Sequence, residues 1–394
     1  MNIDLPYTIQ PISELPGHED RAWHVAWNPT KPLLASCSAD KTVRIYAYSS
    51  TSNEESKSIP TYAFKTLTSI PTGHAKTVRA VAWAPSGETL ATASFDSNIG
   101  IWECEKVDDM ENGENDGSGE WECISTLEGH ETECKSVAYS STGTLLASCS
   151  RDKTVWIWEV HPDGEFETIS VLMEHSQDVK CVAWHPSEEI LASASYDDTI
   201  KLYIEDPSDD WFCFSTLSGH TSTVWSLAWS PVFDSSEECT SSTHGSGGPH
   251  SHSHATTASY LASASDDTTI RIWKRIAEHK WECVLVLGGH ERSVYSVSWC
   301  RGVRPAFTEE GTYLGWLASA SGDGKVLVWE LWDPPSSSAI STPPRHKLIA
   351  SLSSAHGVHD VNSVVWNPRS GFEDLLATTG DDGCTRVWRI TPSS

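Results

Sequence analysis

Basic residues are scarce in this chain. It carries 27 Lys and Arg against 54 Asp and Glu, a formal net charge of −27 over 394 residues. Such a charge works against non-specific binding to nucleic acid or to an anionic membrane, although it leaves room for a local basic patch. Long apolar runs are missing too. None approaches the 18 residues of a membrane-spanning helix, and the opening MNIDLPYTIQ lacks the basic and apolar regions of a secretory signal. The 11 cysteines are an odd number and contain no CxxC or CxxxC pair. Zinc and iron–sulfur ligand spacings are thereby excluded, and reduced packing cysteines in a soluble, cytosolic protein are expected. No nucleophile elbow, phosphate loop or metal triad occurs, so no enzyme class is indicated and no cofactor is expected. The purified protein should hold no stoichiometric iron.

What is present is a repeat. Seven times a His is followed by a Ser or Thr, an Asp and an aromatic residue. The sets are His18/Ser36/Asp40/Tyr46, His74/Thr92/Asp96/Trp102, His130/Ser148/Asp152/Trp158, His175/Ser193/Asp197/Tyr203, His220/Ser263/Asp267/Trp273, His290/Ser319/Asp323/Trp329 and His356/Thr378/Asp382/Trp388. Ser/Thr to Asp is always 4 residues and Asp to aromatic always 6. His to aromatic is 28 in the first four units, then 53, 39 and 32, which puts insertions in the last three. This pattern resembles a WD40 array, which implies an all-β, seven-bladed propeller with four strands, a to d, per blade. In blade two, strand a is expected over Thr77–Trp83, strand b over Thr89–Ser94 and strand c over Asn98–Trp102. The recurring His, Ser/Thr, Asp and aromatic residues resemble the structural tetrad of that fold, so seven of the 17 His have a structural role. A nucleophilic triad is excluded because the set recurs in every unit.

Only six residues follow Trp388, too few for an outer strand in the last blade. The segment YTIQPISELPGH, ending at His18, matches other d segments such as WECISTLEGH. The N-terminal strand is therefore expected to complete blade seven and close the ring, making residues 1–394 a single propeller. Cys37 and Cys149 share one position of strand b, and Cys123, Cys213 and Cys283 share one of strand d, which predicts core or half-buried thiols. The insertions all fall on the face of the a–b and c–d loops. Two of them, 106–120 (acidic) and 235–258 (Ser/Gly/His-rich), are expected to be flexible loops, and deleting 236–257 should leave the melting temperature nearly unchanged. His250, His252 and His254 in the second could bind metal adventitiously.

The opposite face keeps loops of fixed length and is the better platform for recognition. Three positions per blade should look out there. The first comprises Arg21, Thr77, Glu133, Asp178, Thr223, Ser293 and Val361 or a neighbour. The second comprises Trp23, Arg79, Lys135, Lys180, Trp225, Tyr295 and Asn362. The third comprises Ala39, Phe95, Arg151, Tyr196, Asp266, Gly322 and Asp381. By composition these 21 positions would hold about 1.4 Lys/Arg and about 2.0 aromatics, yet they hold five of each. Solvated cations and aromatic caps would account for scattered cases. The joint excess favours a partner site, because exposed aromatics and Arg carry interface energy. Arg151, Lys135, Lys180 and Arg79 should form a positive arc beside Phe95 and Tyr196, suited to an acidic segment or a C-terminal carboxylate. RNA is disfavoured by Glu133, Asp178, Asp266 and Asp381 on the same rim.

Beyond the generic repeat, SRDKTVWIWE (150–159), EHSQDVK (174–180), DWFCFSTLSGHTSTVWSLAW (210–229), HGVHDVNSVVWNP and LLATTGDDG together resemble the WD40 subunit of the cytosolic iron–sulfur protein assembly targeting complex. The resemblance implies a non-catalytic scaffold that helps transfer clusters to cytosolic and nuclear apoproteins. It implies as partners a small α/β subunit, a HEAT-repeat adaptor, a hydrogenase-like iron–sulfur protein and client apoproteins, without nucleic acid or membrane. It also gives Arg151, in the CSRDK turn, a functional role. The blade-five insertion departs from the compact family pattern. A ubiquitin-ligase substrate receptor or a histone-tail reader is the alternative. The first usually brings an adaptor-binding domain, which the repeats leave no room for. The second would surround its channel with acidic and aromatic residues, whereas this rim is basic on one side.

Overall fold

The computed structural model describes residues 5–51, 61–105, 117, 119–233, 259–303, 311–335 and 342–393. The 235–258 insertion, with His250, His252 and His254, lies outside the described residues, as does nearly all of 106–120. The described residues form seven four-stranded antiparallel sheets, with strands in chain order from a to d in six of them. The seventh is completed by the N-terminal strand: Tyr7–Leu15 pairs with Thr385–Pro392, from Tyr7 opposite Pro392 to Leu15 opposite Thr385, with a register shift between Pro11 and Ser13. The ring is closed by this non-local pairing.

The blades form because short small-residue strands permit close stacking. Strand b reads LLASCS, TLATAS or LASAS, and these segments are almost wholly buried. Apolar side chains of neighbouring blades then meet in seven separate cores rather than one. Between blades one and two, Val43, Ile45 and Val78 meet Leu90 and Trp102, and similar clusters recur around the ring. Each fully buried aliphatic side chain of this kind stabilises by roughly 1.5–3 kcal/mol. A second Trp series pins the inner strands. Trp83 Nε1 donates to Ala26 O at 3.1 Å, Trp184 Nε1 to Ala138 O at 3.1 Å and Trp229 Nε1 to Ala183 O at 3.0 Å, each one blade back.

The tetrads supply the polar half of the fold. In every blade the His Nδ1 lies 2.7–3.1 Å from the Asp carboxylate. The His Nε2 lies 2.6–3.0 Å from the Ser or Thr hydroxyl. Trp102, Trp158, Trp273 and Trp388 donate to that hydroxyl at 2.9–3.0 Å, while Tyr46 and Tyr203 reach theirs at 3.4 Å. In blade two the hydroxyl is that of Thr92, 3.0 Å from His74 Nε2 and 3.0 Å from Trp102 Nε1. In blade three it is that of Ser148, 2.9 Å from His130 Nε2 and 3.0 Å from Trp158 Nε1. Such a network stabilises only when each member is satisfied. The residue after each tetrad Asp has a left-handed backbone: Lys41, Ser97, Lys153, Asp198, Thr268, Gly324 and Gly383. The tight turn between strands b and c requires it, and only two units use glycine there.

Some boundaries differ from expectation. Strand a of blade two starts at Val78, and strand c runs over Ile99–Cys104, past the tetrad Trp, because it continues into the hairpin with strand d. In blade six strand b runs over Thr312–Ser321, longer than its counterparts. Gly315 sits inside that strand at a bulge with φ +97°, where a Cβ would lie 2.0 Å from Cys300 O. Cys37 and Cys149 are fully buried, but Cys123 is exposed, because strand d faces solvent on the outside of its blade.

The polar interior predicts how the fold responds to acid. Burial alone would raise the tetrad carboxyls, but hydrogen bonds from the His and from the Thr two residues on hold Asp40, Asp152 and Asp197 well below the usual range. Burial, with the charge of Arg79, lowers His24 to about 4. Burial also lowers His185 to about 4, with Arg275 adding to the effect. The His185 Nδ1 accepts the Ser187 and Glu188 N–H groups, at 3.3 and 3.1 Å, so a proton there has no place. Below about pH 6.5 the unfolded chain therefore takes up protons that the fold refuses, and stability falls until about pH 4. The two histidines should together account for roughly 2–6 kcal/mol of that loss. The tetrad carboxylates act next: their contribution is present above about pH 4 and is lost below it as they protonate. Chemical unfolding at pH 7.5 and 5 should give a lower midpoint at pH 5, and His185→Gln should flatten the difference.

Candidate functional site

Strand a carries one irregularity in every blade. Its register against strand b shifts between Ala22 and His24, Val78 and Ala80, Cys134 and Ser136, Val179 and Cys181, Val224 and Ser226, Val294 and Ser296, and Val361 and Ser363. The residues left over are Trp23, Arg79, Lys135, Lys180, Trp225, Tyr295 and Asn362. A bulge of this kind frees one side chain from the sheet's alternation and re-aims it. Seven such bulges line the inner wall of the ring near one mouth.

The other two positions are joined by the backbone. The N–H groups of Ala39, Phe95, Arg151, Tyr196, Asp266, Gly322 and Asp381 donate to the carbonyls of Arg21, Thr77, Glu133, Asp178, Thr223, Ser293 and Asp360, at 2.9–3.2 Å. The blade-seven member of the first set is therefore Asp360. The sequence offers Val361 or a neighbour, and Asp360 is that neighbour, while Val361 itself is fully buried in the core.

These elements enclose a funnel of about 310 Å³ at the channel mouth. Arg79, Lys135 and Lys180 supply cations on one side, Asp360 and Asp381 carboxylates on the other, and Trp23, Phe95, Trp225 and Tyr295 the apolar walls. Most polar groups are matched. Lys135 Nζ pairs with Glu133 and lies 4.0 Å from the Phe95 ring centre. Lys180 Nζ is 3.2 Å from Asp178 and about 5 Å from the rings of Trp225 and Tyr196. Trp225 Nε1 donates to Asp266 at 2.6 Å and stands edge-on to Tyr295. Asp381 takes Arg21 Nε at 3.3 Å and Asn362 Nδ2 at 2.9 Å. Asp360 receives Arg292 and the Tyr295 hydroxyl, both at 3.5 Å.

Arg151 lies apart from this funnel. It borders a second hollow with Glu133, Lys135, Gln177, Asp178 and Tyr196. Its side chain is 58% exposed, with Nη1 3.4 Å from Glu133 and Nε 3.9 Å from Asp178. The arc expected from the sequence is thus divided. Arg151 and Tyr196 face outward over two carboxylates, Lys135 belongs to both hollows, and Arg79 and Phe95 belong to the funnel. The lysines are engaged at home, by acids two residues earlier in their own strands. That spacing, Glu-x-Lys and Asp-x-Lys, was a signal in the sequence.

The tetrad residues belong to neither hollow. Thr92 and Ser148 are fully buried in the middle of strand b, so neither hydroxyl is open to a partner or ligand. Their hydrogen bonds are spent inside the blade, on His74 and Trp102 and on His130 and Trp158. Asp96 and Asp152 are likewise turned back onto His74 and His130. As candidate residues they hold the turns that display the rim and do not themselves form a binding surface. Among the described residues, no group of three or more His, Cys, Asp or Glu is arranged to hold a metal ion.

Known proteins place this architecture in a family. The WD domain, G-beta repeat, matches residues 9–47, 211–233, 237–274, 281–330 and 343–389, and the CAF1B/HIR1 β-propeller domain matches residues 34–207. A protein of Mycosarcoma maydis named probable cytosolic iron-sulfur protein assembly protein 1 is 47% identical over 456 aligned residues, covering 97% of this chain and 93% of the relative. Proteins of the same name are 42% identical in Cryptococcus neoformans var. neoformans and 37% in Scheffersomyces stipitis, covering 97% and 96% of this chain and 99% of each relative. Identity at this level over nearly the whole of both chains decides the matter: the chain belongs to the family of cytosolic iron–sulfur protein assembly protein 1.

Proposed function

We propose that this chain is a scaffold of cytosolic iron–sulfur protein assembly, one that holds other proteins together while clusters pass to apoproteins. The observation that carries this is the near-full-length identity to relatives named for that process. The ring supports the reading physically. It presents a face of short loops, with an exposed Arg151 and Tyr196 beside a half-enclosed funnel. Rigid aromatic and Arg anchors of this sort suit protein recognition. The same His, Asp and hydroxyl set is repeated in seven blades and committed to holding turns, so it is not one reactive centre. The role is therefore non-catalytic, and the cluster is cargo rather than a resident group. The partners are a small α/β subunit, a HEAT-repeat adaptor and a hydrogenase-like iron–sulfur protein, together with client apoproteins of the cytosol and nucleus. A ligase receptor or histone-tail reader is not favoured, since the full-length relatives carry the iron–sulfur assembly name. Capture of the tagged full chain from its own cells, followed by mass spectrometry, tests the proposal. Stoichiometric recovery of the small subunit and the HEAT-repeat adaptor is expected. Recovery of cullin adaptors or histones in their place would overturn it.

A further inference from the structure

Blade two breaks the pairing that its neighbours keep. In blades three and four each bulged lysine finds an acid two residues earlier in its own strand, Glu133 for Lys135 and Asp178 for Lys180. In blade two that position is Thr77. Arg79 lies 4.9 Å over the Trp23 ring, and among the described residues no carboxylate or hydrogen-bond acceptor meets its guanidinium. The Trp23 Nε1–H beside it is buried and also has no partner. Both residues line the same funnel, and neither donor is matched by an acceptor among the described residues, although buried polar groups normally are.

No anion waits beneath them. Burial is the main influence on the Arg79 guanidinium, lowering it, and after it come the Cys37, Cys181 and Cys149 thiols. Burial keeps these protonated, pushing Cys37 up to about 12. Lys135 feels both Arg79 and Lys180 as like charges. The cationic side of the funnel therefore carries a guanidinium without a counter-ion, in a chain whose net charge is −27. Phe95, Trp225 and Tyr295 line the same funnel, with Lys135 over the Phe95 ring and Lys180 over that of Trp225. A volume of about 310 Å³ is that of a small-molecule site, not of a groove for a folded segment.

We propose that the funnel binds a small aromatic carboxylate: its carboxylate takes the Arg79 fork, and its ring packs beside Phe95, Trp225 and Tyr295. A guanidinium matches a planar carboxylate with two parallel hydrogen bonds. The aromatic walls supply contact area without loss of flexibility. The inference stands apart from the scaffold reading, since it concerns the purified chain alone.

Titration of the full chain with phenylacetate, acetate and phenylacetamide, by calorimetry and thermal melt, tests it. Phenylacetate should bind and raise the melting temperature, and acetate and the neutral amide should each bind at least tenfold more weakly. Arg79→Met should weaken phenylacetate at least tenfold while leaving the melting temperature unchanged or higher, because it removes an unpaired, half-buried charge. Equal binding of acid and amide, full binding by Arg79→Met, or no binding of any probe would overturn the proposal. A peptide whose last residue is phenylalanine separates the sources of such an acid. If it bound far more tightly than phenylacetate, the pocket would belong to a protein terminus and the small-molecule assignment would fall.

Discussion

Removal of residues 1–14 should cost the protein most of its folding stability. The strand Tyr7–Leu15 is the outer strand of blade seven and the fourth of its sheet. Its backbone pairs along the whole of Thr385–Pro392. Ile9 is buried with the core between blades six and seven, and the Tyr7 ring packs edge-on against Trp316 of blade six at 5.2 Å. Glu14 takes Arg386 Nη2 at 2.7 Å, and the same guanidinium holds the tetrad carboxylate Asp382. The ladder hydrogen bonds are worth about 0.5–1.5 kcal/mol each, and burial of Ile9 about 1.5–3 kcal/mol. Together these rival the 5–15 kcal/mol by which a whole domain is stable. The truncation also bares a full strand edge, which invites pairing with another chain. The truncated chain should melt more than 10 °C lower and aggregate at concentrations where the full chain is monodisperse. A truncated chain that stayed monodisperse, with an unchanged melt, would contradict the closure by this strand.

The second large effect is on binding. Arg151 follows Ser150 in the turn of blade three, and the turn holds it firmly. Its N–H donates to Glu133 O, the next N–H donates to Ser150 Oγ at 3.1 Å, and Asp152 is fixed by His130 at 2.9 Å. Only the side chain is free to meet a partner. Its ion pairs to Glu133 and Asp178 are long and solvent-exposed, and such pairs contribute only about 0–1 kcal/mol to folding. Arg151→Glu should therefore move the melting temperature by no more than a few degrees. It would set a third carboxylate beside Glu133 and Asp178, turning a surface that accepts an acidic group into one that repels it. Affinity for that partner or client should fall by roughly 2–5 kcal/mol. Arg151→Lys keeps the charge but loses the planar fork, and should fall between. The check is a binding titration and a thermal melt of each variant. Unchanged affinity for every partner, or a melt that collapses, would remove Arg151 from the recognition surface.

How much of this was legible in the sequence follows from which features have residue signatures. The tetrads do: hydrogen-bond geometry fixes the residue type at four positions, so His18 through Trp388 could be assigned by spacing. Thr92 and Ser148 could be placed in this way as blade-holding hydroxyls before any coordinate was known. The closure was legible by subtraction, because YTIQPISEL has the pattern of a d strand and blade seven lacked one. The bulges were not legible, since a bulge imposes a backbone geometry and accepts Trp23, Arg79, Lys180 or Asn362 alike. The rim positions could be counted from the repeat, but not the reason they face inward. The extra residue of strand a in blade seven left Asp360 open as one of the neighbours of Val361. The spacing Glu-x-Lys and Asp-x-Lys hints at local partners for Lys135 and Lys180, but only in space are Glu133 and Asp178 seen to close on them. Arg79 has Thr77 in the place of that acid, and the comparison in space shows no described carboxylate taking its place.

The central claim is that this propeller serves the loading of iron–sulfur clusters into other proteins while holding none itself. Cells in which the chain can be depleted, labelled with radioactive iron, give the most direct measurement. Iron recovered with an immunoprecipitated cytosolic iron–sulfur enzyme should fall severalfold on depletion, iron in a mitochondrial one should stay level, and the purified chain should carry none in stoichiometric amount. Undiminished iron in the cytosolic enzyme, or about one cluster per chain on the propeller, would contradict the account.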